Sequence, residues 1–179
     1  VIYPNDWDAF LKNIEKADTM FYHCINPDFT WEFAIKFFGK INDTNAKNNM
    51  YAYAQLKDQT NFETDGVEMI SNKQAFYYDY WNAPFRGSNL KYVKSLTLTG
   101  SDGCMGLFYN SNLVKIGDCS FTGTNSNWSG CEALFADCSN LEEVGNITSY
   151  RDGTSGRTLS THAMFRNCSK LIKLGRLKL

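Results

Sequence analysis

Three segments in the second half of this 179-residue chain repeat one pattern, and a repeat constrains the fold of a sequence more than any other feature. They are CMGLFYNSNLVKIG from Cys104, CEALFADCSNLEEVG from Cys131 and THAMFRNCSKLIKLG from Thr161. Each carries a small residue, then Leu or Met, then a Phe. A short polar turn follows, then Ser-Asn-Leu or Ser-Lys-Leu, two intervening residues, an aliphatic residue and Gly. The anchoring rings are Phe108, Phe135 and Phe165, so the period is 27 and then 30 residues.

The pattern continues toward the N-terminus and degrades. FRGSNLKYVKSLTLTG from Phe85 keeps the ring, the turn, Ser-Asn-Leu and a Val three residues on. MYAYAQLKDQTNF from Met50 keeps an aromatic at Tyr51 and the leucine at Leu56. TMFYHC from Thr19 matches only the start, with Asn26 and Pro27 where a leucine would stand. Anchors therefore fall at Phe21, Tyr51, Phe85, Phe108, Phe135 and Phe165.

A coil of this size cannot bury its own apolar face, but stacked neighbours can. The expectation is a solenoid whose short strands lie in parallel about 4.8 Å apart. Leu90 and Val93, Leu113 and Ile116, Leu141 and Val144, and Leu171 and Leu174 should form internal ladders. Phe85, Phe108, Phe135 and Phe165 should form another. Gly117, Gly145 and Gly175 follow the strands at equivalent places, where a turn with positive φ is expected.

The Met/Leu-Phe, Cys, Ser-Asn-Leu and Leu-x-x-Leu-Gly pattern resembles the BspA-like class of leucine-rich repeat. The close match covers roughly residues 83–179, with a weaker one from about residue 14 to residue 82. The long segment from Asn61 to Trp81 reads as an insertion or a poorly matching coil. The resemblance implies an α/β solenoid, a right-handed superhelix of short parallel strands joined by short helical or irregular turns. One domain over residues 1–179 is expected, of about six coils, degenerate over 1–82 and regular over 83–179. Proteins with such repeats are found on the surfaces of gut and oral bacteria, among secreted proteins, on some protozoa, and in phages of those bacteria. The first residue is not Met and the closing RLKL offers no polar cap, so a piece of a longer protein is expected.

Charge excludes some partners. With 18 basic against 19 acidic residues and no run of either sign, electrostatic binding of nucleic acid or of an anionic membrane surface is not expected. The longest apolar stretch, FAIKFFG from Phe33, is far shorter than the roughly 20 residues of a membrane span. Cys138 and Cys168 share one repeat position, and Cys104 and Cys131 share another. Stacked reduced thiols in the core are favoured over disulfides, since neighbouring side chains would run parallel. A zinc site lacks any CxxC pair, and His23 with Cys24 has no partner at ligand spacing.

Catalysis finds no support. Phosphate-cradling, nucleophile-elbow and metalloprotease motifs are all missing. The two histidines, His23 and His162, sit inside repeat copies, where a structural or exposed role is favoured over pairing with Cys24 or Cys168. No enzyme, cofactor or metal is therefore expected.

Binding residues are sought instead among the side chains that alternate outward from the strands. They are Lys91, Tyr92, Lys115, Glu142, Glu143 and Lys173. The aromatic run Tyr77, Tyr78, Tyr80 and Trp81 is a second candidate, since rings with polar tips suit protein interfaces and sugar rings. The reading is a non-catalytic module for adhesion or for protein or glycan recognition, extracellular or at a cell surface. The alternative is a component of a larger assembly such as a virion or tail, joined to neighbouring subunits through the solenoid ends.

Overall fold

A computed structural model describes residues 19–40, 49–57, 68–71, 83–99, 105–123, 131–151 and 160–179, with Asp6, Ala9, Ile14 and Ala17. The chain winds as a parallel β-solenoid with little helix. Its strands are β1 (Ile25–Thr30), β2 (Gln55–Lys57), β3 (Glu68–Ser71), β4 (Tyr92–Val93), β5 (Ser95–Thr99) and β6 (Lys115–Ile116). They continue as β7 (Cys119–Gly123), β8 (Glu143–Val144), β9 (Ile147–Arg151), β10 (Lys173–Leu174) and β11 (Leu177–Lys178). Among the described residues these form three parallel sheets, ordered β1-β2, β10-β8-β6-β4 and β11-β9-β7-β5-β3.

The anchor rings stack where the spacing places them. Centroids of Phe21 and Tyr51 lie 5.1 Å apart, and those of Tyr51 and Phe85 5.6 Å apart. The column runs on through Phe108, Phe135 and Phe165 at 5.8, 5.8 and 5.5 Å. No two neighbouring planes differ by more than 29°. One ring per coil, at a separation near the strand spacing, gives offset stacks that add to the value of burial alone.

The backbone around each anchor is a turn. Residues two before and two after it take positive φ, as in Asn49 and Tyr53, Gly106 and Asn110, and Ala133 and Asp137. This zigzag turns alternate amides toward the next coil. The Phe85 N–H donates to the Leu107 carbonyl, Phe108 to Leu134 and Phe135 to Met164. The turn segments thus carry an inter-coil ladder of their own, and their buried amides are satisfied without a helix.

Below the rings, Leu90, Leu113 and Leu141 are fully buried, as are Val93, Ile116 and Val144 nearly so. Each such side chain contributes about 1.5–3 kcal/mol. In the coil that carries β10 and β11, Phe165 and Leu171 are half-buried and Leu174 is exposed. The segment from Asn61 to Trp81 contains a strand, β3, which pairs with β5 in full register.

Gly117, Gly145 and Gly175 correct the positive-φ expectation. Positive φ among the described glycines belongs to Gly87 and Gly106. The strand-end glycines are needed because consecutive coils touch there. A Cβ on Gly117 would lie 2.0 Å from the Lys94 carbonyl oxygen, one on Gly145 2.5 Å from the Gly117 carbonyl carbon, and one on Gly175 2.6 Å from that of Gly145.

The run WEFAIKFFGK is helix α1 (Trp31–Lys40). Thr30 Oγ1 accepts the Phe33 N–H at 3.3 Å, an N-cap bond, and Glu32 pairs with Lys36 one turn on at 2.6 Å. Ala34, Ile35, Phe37 and Phe38 are buried, and the helix packs on β3. The buried Trp31 donates its indole N–H to Asn89 Oδ1 at 2.8 Å. That same amide accepts the Leu56 N–H and donates to the Leu56 carbonyl, so one side chain stands in for a strand pair.

Candidate functional site

The β4-β6-β8-β10 sheet carries most of the outward residues read from the sequence. Its register aligns Tyr92, Lys115, Glu143 and Lys173 in one column. Glu143 is bridged from both sides, 3.2 Å from the Lys115 ammonium and 3.4 Å from that of Lys173. Hydrogen bonds from those two lysines hold its carboxyl below the usual range. Lys91 and Tyr92 are half-buried and Glu142 is exposed. The charges on this face satisfy one another in an exposed ladder, each pair contributing little to stability. Tyr77, Tyr78, Tyr80 and Trp81 lie outside the described residues, as does Cys104.

A second surface, on the β3-β5-β7-β9-β11 sheet, was not legible beforehand. Its register sets Leu96, Cys119, Ile147 and Leu177 in one column and Thr97, Ser120, Thr148 and Lys178 in the next. The first column is buried until the last coil; the second points outward by strand alternation. Asp118, Asn146 and Arg176 precede these strands, each immediately after one of the tightly packed glycines. Asp118 Oδ1 accepts the backbone N–H of Asn146 at 2.8 Å, and Asn146 Oδ1 accepts that of Arg176 at 3.0 Å.

These two rows line an open groove of about 790 Å³, formed by Asp118, Ser120, Asn146, Thr148, Arg176 and Lys178 together with Cys119. Asp118 also accepts from the Asn146 side-chain amide, at 3.1 Å. Among the described residues, the Arg176 guanidinium and the Lys178 ammonium have no acidic partner. None of the groove residues is among the binding candidates read from the sequence. A signal for three of them, Asp118, Asn146 and Arg176, was present in the dipeptides Gly117-Asp118, Gly145-Asn146 and Gly175-Arg176.

The turn face presents aromatic rings to solvent. His23 stacks on Tyr53 at 4.9 Å with Tyr22 edge-on to both, and the Arg86 guanidinium lies over Tyr53 and donates to its hydroxyl. Further along, Arg166 donates to Asp137 at 2.7 Å beside Tyr109. The exposed His162 donates its backbone N–H to Ser160 Oγ, and its carbonyl accepts the Ala133 N–H from the preceding coil.

The thiols are placed for packing. Cys24, Cys119, Cys138 and Cys168 are free thiols. Cys138 donates to the Phe108 carbonyl at 2.9 Å and Cys168 to that of Phe135 at 3.0 Å, one step apart in the stack. Burial pushes the Cys138 thiol up to about 12 and that of Cys168 up to about 11, so neither forms the thiolate a nucleophile needs. Among the described residues, no three His, Cys, Asp or Glu side chains converge as a metal site, and no helix is long and apolar enough to cross a membrane. No family model, curated protein or solved structure matches the chain.

Proposed function

We propose that the chain is a non-catalytic binding module of the leucine-rich-repeat type, similar to BspA-like surface proteins, acting outside the cell or at its surface on a protein or glycan. One observation carries this reading. The inward columns hold the core, while the outward row of Ser120, Thr148 and Lys178 and the row of Asp118, Asn146 and Arg176 line an open groove. A rigid scaffold with polar side chains repeated along a groove is how a solenoid presents a recognition surface. The test is an array of glycans and extracellular matrix proteins probed with the purified chain. Saturable binding to one class, lost on Asp118→Ala with Thr148→Ala, is expected; a monodisperse chain that binds nothing on the arrays overturns the reading.

A second reading, an assembly component of a virion or similar complex, is favoured by the last coil. Ile172, Leu174, Leu177 and Leu179 are 82%, 42%, 43% and 52% exposed there, and an apolar patch of this kind marks a contact surface. Light scattering after size exclusion tests it: concentration-dependent oligomers abolished by Ile172→Glu support assembly, and a monomer at all concentrations refutes it.

A further inference from the structure

Beyond general recognition, the groove on the β3-β5-β7-β9-β11 sheet has a direction, and the direction selects a ligand. We propose that it takes an acidic oligosaccharide, with a carboxylate or sulfate group held by Arg176 and Lys178 and neutral sugar hydroxyls held by Asp118, Ser120, Asn146 and Thr148. The inference rests on the binding-module reading above.

Both rows change character along the stack. One runs Asp118, Asn146, Arg176 and the other Ser120, Thr148, Lys178, in register from coil to coil. At the Asp118 end the groove offers a carboxylate, an amide and two hydroxyls, groups that both donate to and accept from sugar hydroxyls. At the other end it offers two cations that have no acidic partner among the described residues, and an arginine fork suits a carboxylate or sulfate in bidentate geometry. Coils repeat about every 4.8 Å, close to the length of one sugar ring in a chain. The distance from Asp118 to Arg176, two coils, therefore spans about two sugars.

The same layout argues against a polyphosphate or a nucleic acid. A uniform polyanion would place one of its charges against Asp118, whose carboxylate is fixed in the groove by the Asn146 amide and side chain. An acidic glycan carries its charge on some residues and bare hydroxyls on others, and so meets both ends. The pattern Ser120, Thr148, Lys178 is also not imposed by the fold, since the first two coils pack the same way with a short hydroxyl at that position.

The test is calorimetric titration of the whole chain with hyaluronan tetrasaccharide, a chondroitin sulfate tetrasaccharide and the carboxyl-reduced form of the first. Binding of either acidic sugar, at least tenfold weaker for the reduced form, is expected. The first two probes distinguish a carboxylate from a sulfate as the preferred anion. Amide chemical-shift mapping on the unmodified chain should place the perturbations at Ser120, Thr148 and Arg176. Replacing Arg176 and Lys178 together by Ala should cost at least tenfold in affinity with the melting curve unchanged, because both side chains are exposed.

Equal binding of the carboxyl-reduced sugar, shifts mapping elsewhere, or displacement by a short oligothymidylate as effective as by glycan would overturn the proposal. A chain that ignores all three sugars but binds a matrix protein also overturns it, and leaves the binding-module reading standing. A chain that binds nothing sinks both.

Discussion

Replacing Gly145 separates two explanations for a glycine that the sequence alone leaves indistinguishable. If Gly145 were needed for positive φ, Asn would be the mildest substitute, because Asn tolerates that conformation. The structure assigns a different need. An added Cβ would sit 2.5 Å from the Gly117 carbonyl carbon, 2.6 Å from Asp118 Oδ1 and 2.7 Å from the Asp118 amide nitrogen. Comfortable carbon contacts begin about 1 Å further out, at roughly 3.5 Å. Two of the three crowded atoms are backbone, so the coils must part by about that distance.

Parting them loosens the bonds that join the coils here. These are Gly145 N–H to the Ile116 carbonyl at 2.9 Å, Asn146 N–H to Asp118 Oδ1 at 2.8 Å and Cys119 N–H to the Asn146 carbonyl at 2.7 Å. At about 1 kcal/mol each, Gly145→Ala should cost about 3 kcal/mol, the upper end of ordinary overpacking. For a chain of this length that is roughly 6–12 °C in Tm. Gly145→Asn adds more atoms to the same contact and should cost at least as much. Gly175→Ala meets the same wall, three backbone atoms at 2.6–2.7 Å, and should cost a similar amount. Urea unfolding and thermal melts of the three variants settle the matter. An Asn variant more stable than the Ala variant, or a Gly145→Ala melt within about 2 °C of the parent, refutes the close-approach account.

Three further outcomes follow from the same geometry. Phe108 is fully buried between two stacked rings, so Phe108→Ala should cost about 3–5 kcal/mol and Phe165→Ala, half-buried at the end of the column, about half as much, both read from urea midpoints. Iodoacetamide at pH 8 should leave Cys138 unmodified in the folded chain and label Cys168 slowly, with both reacting on unfolding; rapid native labelling of Cys138 in a mass-spectrometric time course contradicts its burial. The Asp137 carboxyl is held below its ordinary value, first by its hydrogen bond from Arg166 and then by those from Asn167 and Tyr109. Because the folded value is the depressed one, its stabilisation is present above about pH 4 and is lost as pH falls through the folded value. Asp137→Asn, which suits the positive φ of 62° at that position, should flatten the acid limb of the stability–pH curve below about pH 4. An unchanged limb counts against the Arg166 pairing.

How much of this was readable beforehand depends on what each residue must satisfy. The anchors were legible because each ring meets another ring, so Phe or Tyr recurs at Phe21, Tyr51 and onward even where the surrounding motif has decayed. The second sheet was not. Its inward column, Leu96, Cys119, Ile147 and Leu177, needs only to be apolar, and its strands SLTLT, CSFTG and ITSYR share no spelling that a repeat search would catch. Helix α1 stood out merely as an apolar run: among its described side chains the polar face is only Glu32 and Lys36, one turn apart, too short a stripe to set it against a buried strand. Asn89 illustrates the same limit from the polar side: it reads as a turn residue in Ser-Asn-Leu, yet it bonds Trp31 and both backbone groups of Leu56, partners 58 and 33 residues away.

The groove shows where function is written in such a chain. Columns that pack stay apolar from coil to coil, since every member faces an apolar neighbour. Outward columns carry no such demand, and Ser120 and Thr148 demonstrate that a short hydroxyl is enough at the Lys178 position. The cation there, like Arg176 in the row of Asp118 and Asn146, is therefore a departure that packing does not explain. Edge protection offers a rival account, because lysines on a terminal strand discourage pairing with another chain. That role would fall on Lys173 of β10 as much as on Lys178 of β11, and Lys173 has Glu143 opposite it at 3.4 Å. Removing the charge of Lys173 should then promote association as strongly as removing that of Lys178 if protection is the purpose. If ligand recognition is the purpose, only the pair lining the groove should matter for glycan affinity, and Lys173→Ala should bind as the parent does.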